Sequence, residues 1–257
     1  MSNLNIEQVL HVQHWTDTLF SFTTTRDQSF RFRSGQFTMM GIEVDGKPVL
    51  RAYSLVSTPY DDCLEFLSIK VPDGKLTQHL QKVVPGDRVL VGRKPTGTLL
   101  ADNLRPGRNL YLLGTGTGLA PFISLIRDPD LYERFERVVL VHGCRTVAEL
   151  VYEDLITHSL PEDEFLGEIV RGRLLYYPTV TREAYRHTGR VTDLVINGEL
   201  AASLGLSPIE PGQDRVMLCG SPGLLHDMTA YLDGSGFTEG NNAAPGEYVV
   251  EKAFAEK

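Results

Sequence analysis

The residues whose types and spacing most plainly suit chemistry are Gly114-Thr115-Gly116-Thr117-Gly118-Leu119-Ala120-Pro121, which follow the apolar run Leu110 to Leu113 and precede the helix-like stretch Phe122 to Ile126. That order predicts a strand, a tight turn and a helix start. Glycine lets the backbone take positive φ and approach a ligand closely, while the free amides and positive end of a helix attract an anion such as pyrophosphate. The turn therefore suits a dinucleotide. Its spacing is not that of a GxGxxG fingerprint, since counting from Gly114 reaches Leu119 and from Gly116 reaches Pro121, and the GK[ST] of a P-loop is missing. On its own, such a glycine run also serves as a plain structural turn.

The next apolar run, Val138 to His142, leads into Gly143-Cys144-Arg145. An NAD-selective unit carries an acid about 20 residues beyond its glycine turn to hold the ribose diol; here an arginine stands at the strand end. A third run, Leu174 to Pro178, leads to Thr181-Arg182-Glu183, and Gly189-Arg190 follows. Guanidinium groups bind phosphate bidentately, so Arg145, Arg182 and Arg190, all expected at strand ends in one half of the chain, point to the 2′-phosphate of NADP. Each taken alone is equally a solvated surface arginine. Cys219-Gly220-Ser221-Pro222, after Val216 to Leu218, reads as another strand-to-helix turn at the carboxyl edge of the sheet, where α/β proteins bind ligands. Cys219 by itself is a small buried hydrophobe. His142, with no histidine or acid at ligand spacing, reads as structural.

Two kinds of element must position these residues. From Ile6 to about Leu99 the chain shows short alternating or apolar runs, such as Leu19 to Thr23 and Leu64 to Ile69, punctuated by Asp45-Gly46, Asp73-Gly74 and Pro85-Gly86-Asp87. This is the pattern of an antiparallel barrel. After Pro106-Gly107 strands alternate with helical stretches, Pro129 to Arg137 and Val147 to Ser159 among them. The expected fold is therefore two-domain, β plus α/β: an antiparallel β-barrel over residues 1–101, then a parallel-sheet α/β domain over residues 102–257.

Within the barrel half, Arg51-Ala52-Tyr53-Ser54 begins a strand-like segment after Gly46-Lys47-Pro48. Alternation along a strand puts Arg51 and Tyr53 on one face, a phosphate-binding cation beside an aromatic plane. Tyr53 also suits a core aromatic position. At these residues the chain resembles the ferredoxin (or flavodoxin) NADP reductase family, whose RxYS motif is matched at all three specified positions. The resemblance continues through Gly35-Gln36-Phe37, Gly74-Lys75-Leu76-Thr77, Gly114 to Pro121, Cys219 to Pro222 and the tail Ala253-Phe254-Ala255-Glu256-Lys257.

The resemblance implies a flavin barrel and an NADP domain, with FAD and NADP(H) as cofactors. It implies that Arg51 holds the FAD pyrophosphate, that Tyr53 packs on the isoalloxazine, and that Ser54 hydrogen-bonds near flavin N5. Ala52, Ser68, Ile69, Lys70, Val71, Gly74, Leu76 and Thr77 would surround the flavin and its diphosphate. Gly114, Thr115, Gly116, Thr117, Gly118 and Gly220 would form the nucleotide turns, with Thr117 near both rings, and Thr181 would join Arg145, Arg182 and Arg190. Cys219 would stand beside nicotinamide C4, Ala253 against the isoalloxazine and Phe254 on the adenine side; Ser54, Cys219, Ala253 and Glu256 form the implied catalytic set. A plant-type reductase ends in a stacking tyrosine, which this tail lacks, and an unstructured terminus is the alternative reading of its last five residues.

Composition agrees. With 257 residues, 42% of them hydrophobic, the chain can bury two modest cores, and a net charge of −8 argues against general nucleic-acid binding. No run approaches a transmembrane helix and no amino-terminal leader pattern is present. Three widely spaced cysteines cannot hold a four-cysteine iron-sulfur cluster or any patterned metal, and they suit a reduced, cytoplasmic setting. The expected activity is hydride exchange between NADPH and FAD, with electrons passed singly to ferredoxin or flavodoxin by a monomer that contacts neither nucleic acid nor membrane. A reductase component of an oxygenase and a noncatalytic flavin-binding sensor are the alternatives. Arg31, Arg33, Lys70, Lys75, Arg93 and Lys94 are candidates for the face that meets an acidic carrier.

Overall fold

A computed structural model describes residues 3–251. The first half forms β1 (Leu4–His14), β2 (Leu19–Thr24), β3 (Phe37–Val44), β4 (Lys47–Ser54), β5 (Leu64–Ile69), a short α1 (Thr77–Leu80) and β6 (Arg88–Gly92). The six strands make one antiparallel sheet in the order β4-β3-β6-β1-β2-β5. A bridge between Leu55 and Phe66 brings the end of β4 onto β5, so the sheet curls toward closure. Alternation does the sorting: along β1, Asn5, Glu7 and Val9 point inward while Ile6, Gln8 and Leu10 point out. The core inside is aromatic-rich, with Phe20 stacked on Phe22 at 6.0 Å and Phe66 tilted against Phe22 at 5.4 Å. Asp45 and Gly46 take φ of +50° and +73° between the paired Val44 and Lys47, the left-handed pair that a two-residue hairpin turn demands.

The second half contains β7 (Asn109–Thr115), α2 (Ala120–Ile126), α3 (Pro129–Arg134), β8 (Arg137–Cys144), α4 (Gly167–Val170), β9 (Leu174–Val180), α5 (Val191–Ile196), α6 (Glu199–Leu204), β10 (Asp214–Cys219), α7 (Pro222–Gly234) and β11 (Tyr248–Glu251). Its five strands are all parallel, in the order β11-β10-β7-β8-β9. Leu110 to Leu113 and Val138 to Val141 are almost wholly buried, as strands covered on both faces must be. One apolar cluster crosses from barrel to sheet, joining Leu19, Val56, Leu67 and Leu99 to Leu110, Phe122 and Met217. Polar ties reinforce it: Ser124 Oγ donates to Ser57 O at 2.6 Å, and Arg127 pairs with Asp61 at 3.0 Å. No described helix is long and apolar enough to cross a membrane.

Several local expectations shift. The Arg51 to Ser54 segment ends a strand rather than beginning one, because the Asp45-Gly46 turn starts β4 four residues earlier. The helix from Pro129 stops at Arg134: Phe135 turns into the core and the β-branched Val138 and Val139 start β8 around Arg137. Between Val147 and Ser159 the helix is broken in two. A single turn at Val147–Glu149 is capped by Thr146 and Glu149, Tyr152 then takes φ +65°, and a wide turn follows at Leu155–Ser159. Arg190 is not at a strand end but is the N-cap of α5, ten residues beyond β9.

Candidate functional site

A cleft of about 580 Å³ opens between barrel and sheet, at the carboxyl ends of β7, β8, β9 and β10. Thr18, Leu19, Ile69 and Lys70 form its barrel wall, and Thr115, Gly116, Thr117, Arg145, Thr181 and Arg190 line the other side. The glycine turn divides its labour. Gly116 has φ +54° and no atom within 4 Å of where a Cβ would stand, so its backbone is open to the cleft. Gly114 instead ends inside β7 with Phe122 3.1 Å from its absent Cβ, and Gly118 lies so close to β10 that a Cβ would sit 2.2 Å from Cys219 O. These two glycines serve close packing of strand, turn and helix rather than ligand approach. Gly220 closes the same junction: a Cβ there would fall 2.2 Å from Thr115 Oγ1, which accepts the Ser221 amide at 2.8 Å.

The three arginines sit on adjoining loops. Arg182 N donates to Arg145 O at 2.9 Å, and Thr181 Oγ1 donates to Cys144 O at 3.3 Å, which joins the β8 and β9 ends. Glu149, although it lines the cleft, accepts the backbone amide of Arg145 at 2.8 Å and leaves the guanidinium unused. Among the described residues, no ion pair engages Arg145, Arg182 or Arg190, whereas Arg33, Arg105, Arg108, Arg127, Arg134 and Arg186 are each paired with a carboxylate. Positive charge held free at a cleft wall is the donor set a phosphate ester needs. Arg182 itself lies next to the lining residue Thr181 rather than in the lining.

On the barrel, Tyr53 is held edge-on to Phe66 at 6.2 Å and 87°, and its Oη lies 2.9 Å from Ser68 Oγ. Ser68 is buried and also donates to Ile69 O at 3.2 Å, so its hydroxyl orients Tyr53 instead of facing a ligand. Burial pushes the Tyr53 hydroxyl up, keeping it a neutral donor. Arg51 and Ala52 are exposed; the Arg51 guanidinium donates to the Leu50 carbonyl at 2.8 Å and, among the described residues, is in no ion pair. Past β5, Thr77 Oγ1 donates to Val71 O at 3.0 Å and accepts Val71 N at 3.2 Å, closing the turn that contains Gly74. The Leu76 side chain is buried in the barrel core, so only its backbone can serve a ligand; the amides of Gly74, Gln78 and His79 already donate to Val71 O, Gly74 O and Leu76 O. An exposed arginine with no ion pair among the described residues and a fixed tyrosine ring fit a flavin with a diphosphate.

Ser54 and Cys219 come from opposite halves, and a relay of pairings and close contacts runs from one to the other. Ser54 pairs with Phe37, Phe37 bridges to Thr96, and a Cβ on Gly97 would stand 3.4 Å from Phe37 Cδ1 and 2.9 Å from Glu251 Oε2. Glu251 pairs with Cys219, which in turn pairs with Gly114. Cys219 is fully buried and its thiol is pushed far up by burial, so it is a packing group and not a nucleophile. Glu251 accepts from Thr98 N at 2.8 Å and Thr98 Oγ1 at 3.2 Å, and burial raises its pKa. Sequence reasoning missed this carboxylate. Ala253, Phe254 and Glu256 lie outside the described residues.

His142 lies beneath the glycine turn with Nε2 3.1 Å from Cys144 Sγ, and complete burial lowers its pKa to about 4, partly offset by the Gly116 backbone. The unfolded chain takes up this proton near pH 6.5, but the folded chain does so only near pH 4. Stability therefore falls as pH drops through that window, by roughly 3 kcal/mol from this group. Glu65 and Glu251, whose pKa values burial raises, act in the opposite sense. The His142→Leu variant is expected to lack this one component. Urea unfolding of both proteins from pH 7.5 to 4 checks it, since parallel profiles would mean His142 is not buried neutral.

Comparison with known proteins fits this geometry. Residues 4–100 match the family described as Oxidoreductase FAD-binding domain, and residues 112–230 match the Oxidoreductase NAD-binding domain. The chain is 56% identical to a ferredoxin–NADP reductase of Azotobacter vinelandii, with 100% of both chains covered. It is 51% identical to a flavodoxin/ferredoxin–NADP reductase of Rhodobacter capsulatus over 96% of this chain and 92% of that one. The solved ferredoxin NADP+ reductase of Neisseria gonorrhoeae, with bound FAD and NADP, superposes with a TM-score of 0.90 at 30% identity, covering 99% of this chain and 100% of that one. Two nucleotide-binding halves, one cleft between them and full-length relatives at this identity place the chain in the ferredoxin–NADP reductase family.

Proposed function

We infer that this chain is an FAD-dependent reductase that takes a hydride from NADPH and passes electrons to ferredoxin, flavodoxin or both, acting as a cytoplasmic monomer. The observation that carries the reading is the cleft itself: a glycine turn open to ligand at Gly116 faces Arg145 and Arg190, which pair with no carboxylate among the described residues. Bound FAD supplies a ring that accepts a hydride and releases electrons one at a time. The chain's own residues supply placement. Arg51 holds the pyrophosphate, Tyr53 stands against the flavin ring with Ser68 fixing its hydroxyl, and Ser54 donates near the flavin edge. Thr115 to Thr117 carry the nicotinamide half of NADPH, and Arg145, Arg182 and Arg190 hold its 2′-phosphate. Cys219 fills the floor where the two rings meet. Glu251, whose carboxylate accepts from Thr98 N and Thr98 Oγ1, adds an acidic group beside Cys219. The barrel unit is taken as residues 1–101 and the NADP unit as 102–257.

The acceptor face is assigned by charge. Arg31 donates to Gln28 O, Lys70 to Thr16 O and Arg93 to Asn5 Oδ1, all neutral acceptors, and among the described residues none of the three is in an ion pair. Lys75 and Lys94 add to them, while Arg33 is spent on Asp102, which Arg134 also engages. An acidic one-electron carrier suits such a face and its on-rate should fall with salt.

Purified protein is expected to be yellow, to release FAD on denaturation and to reduce ferricyanide with NADPH at steady turnover; a colourless protein that cannot be reconstituted contradicts the assignment. Arg51→Ala is expected to weaken FAD retention by about 1.5–3 kcal/mol, the loss of one charge-assisted contact to a pyrophosphate. Fluorimetric titration of the apoprotein with FAD measures it, and an unchanged dissociation constant would remove Arg51 from the site.

A further inference from the structure

Among the described residues only Asp45 and Tyr152 take positive φ without being glycine, and Asp45 is the hairpin turn. A bulky residue in that conformation is an outlier that its surroundings must hold in place. At Tyr152 the surroundings are those of the barrel. Its Oη donates to Glu65 Oε1 at 2.5 Å, and its ring lies 5.7 Å from that of Trp15, whose Nε1 donates to Ser21 Oγ at 3.1 Å. Trp15 opens the turn between β1 and β2, the turn that carries Thr18 and Leu19 of the cleft's barrel wall and is pinned by Lys70 Nζ on Thr16 O at 3.0 Å.

The neighbouring Glu153 reaches the other way. Its Oε1 accepts from Tyr185 Oη at 2.9 Å and from Arg186 Nη2 at 2.6 Å, and the Arg186 guanidinium lies 5.1 Å above the Tyr185 ring. Tyr185 and Arg186 are the middle of the loop that begins at Arg182 and ends at Arg190, and near its start Glu183 accepts the Val147 amide. Two consecutive residues thus tie the barrel to the loop with the unpaired arginines. Neither lines the cleft, nor do Tyr185 and Arg186.

We propose that Tyr152 and Glu153 are a positioning pair, which holds the Arg182–Arg190 loop at a fixed distance from the barrel wall and so sets affinity for the 2′-phosphate of the nucleotide. The proposal rests on the reading of Arg182 and Arg190 as ligands of that phosphate. A guanidinium binds phosphate strongly only when two donors are placed together, and a loop that has drifted no longer holds Arg182 and Arg190 beside Arg145.

The test uses the FAD-loaded protein and two nonreacting probes, 2′,5′-ADP and 5′-AMP, in titration calorimetry, with thermal unfolding alongside. Tyr152→Phe, which removes one hydroxyl, and Glu153→Ala are each expected to weaken 2′,5′-ADP by about fivefold or more while 5′-AMP changes by less than about twofold. Their combination should cost no more than the larger single effect, since a strap is lost once. Glu153→Gln, which keeps an acceptor for Tyr185, should recover part of the affinity. If both single variants bind 2′,5′-ADP as the parent does while Arg182→Ala does not, the positioning pair is overturned and the phosphate reading stands. Equal weakening of both probes, or a fall in unfolding temperature without selective weakening, also overturns it by showing a merely structural role. An Arg182→Ala variant with undiminished 2′,5′-ADP binding removes the phosphate reading, and the proposal with it.

Discussion

Gly118→Ala is expected to slow reduction of the bound flavin by NADPH about 100-fold or more. The added Cβ at 118 would stand 2.2 Å from Cys219 O, 2.6 Å from Cys219 C and 2.8 Å from Gly220 Cα. All three are backbone atoms of a turn already locked by Thr115 and Ser221, so no side chain can swing aside. The Gly116–Leu119 turn or the Cys219 turn must move by about an ångström, and misplacement of that size at a reacting centre costs about two decades in rate. At Gly116 an added Cβ meets no atom of the described residues, so Gly116→Ala costs about 1–2 kcal/mol of stability for its positive φ, and a slowed reaction there reports a clash with the nucleotide itself. Rapid-mixing absorbance at the flavin band measures both variants, with FAD content and thermal unfolding confirming that each is folded. A parent-like rate in Gly118→Ala would show that the contact between the two turns does not set the reaction geometry.

The combined variant Arg182→Ala and Arg190→Ala is expected to lower kcat/KM for NADPH about 100-fold or more and to leave the NADH reaction within about twofold. Each charge-assisted hydrogen bond to a phosphate contributes about 1.5–3 kcal/mol, or roughly one to two decades. NADH lacks the 2′-phosphate, so it loses nothing when those donors go. The loss should fall on KM, because a contact remote from the reacting ring binds ground state and transition state alike. Arg145, whose backbone is held by Glu149 and by Arg182, is the third donor and predicts a further drop in the triple variant. Parallel losses with the two nucleotides would assign these arginines to the shared diphosphate or to the fold.

What could be read from the chain alone was whatever lies in short contiguous stretches. Asp45-Gly46 announced its hairpin because only left-handed residues fit a two-residue turn, and Leu110 to Leu113 announced a strand covered on both faces. The Arg51 to Ser54 stretch was visible as a site because its three specified residues stand together on one strand end. Its place at the end of β4 was not, because that depends on where the turn before it starts pairing. Glu251 was invisible for a different reason: its partner Thr98 lies 153 residues away, and an isolated glutamate near a terminus carries no local signal. The glycines of the 114–118 run looked alike in sequence, yet Gly116 faces the cleft while Gly114 and Gly118 make room for Phe122 and Cys219. Tyr152 defeated the helical reading of Val147 to Ser159 because its contact with Glu65 and Trp15 outweighs local propensity.

Anaerobic titration of the purified flavoprotein with NADPH, and separately with NADH, tests the central claim most directly. About one equivalent of NADPH per flavin is expected to bleach the absorbance near the flavin maximum, within the mixing time of a stopped-flow instrument, and NADH at the same concentration should do so far more slowly. A flavin that NADPH leaves oxidised, or that both nucleotides reduce at the same rate, would contradict the assignment of this cleft to NADPH-driven flavin reduction.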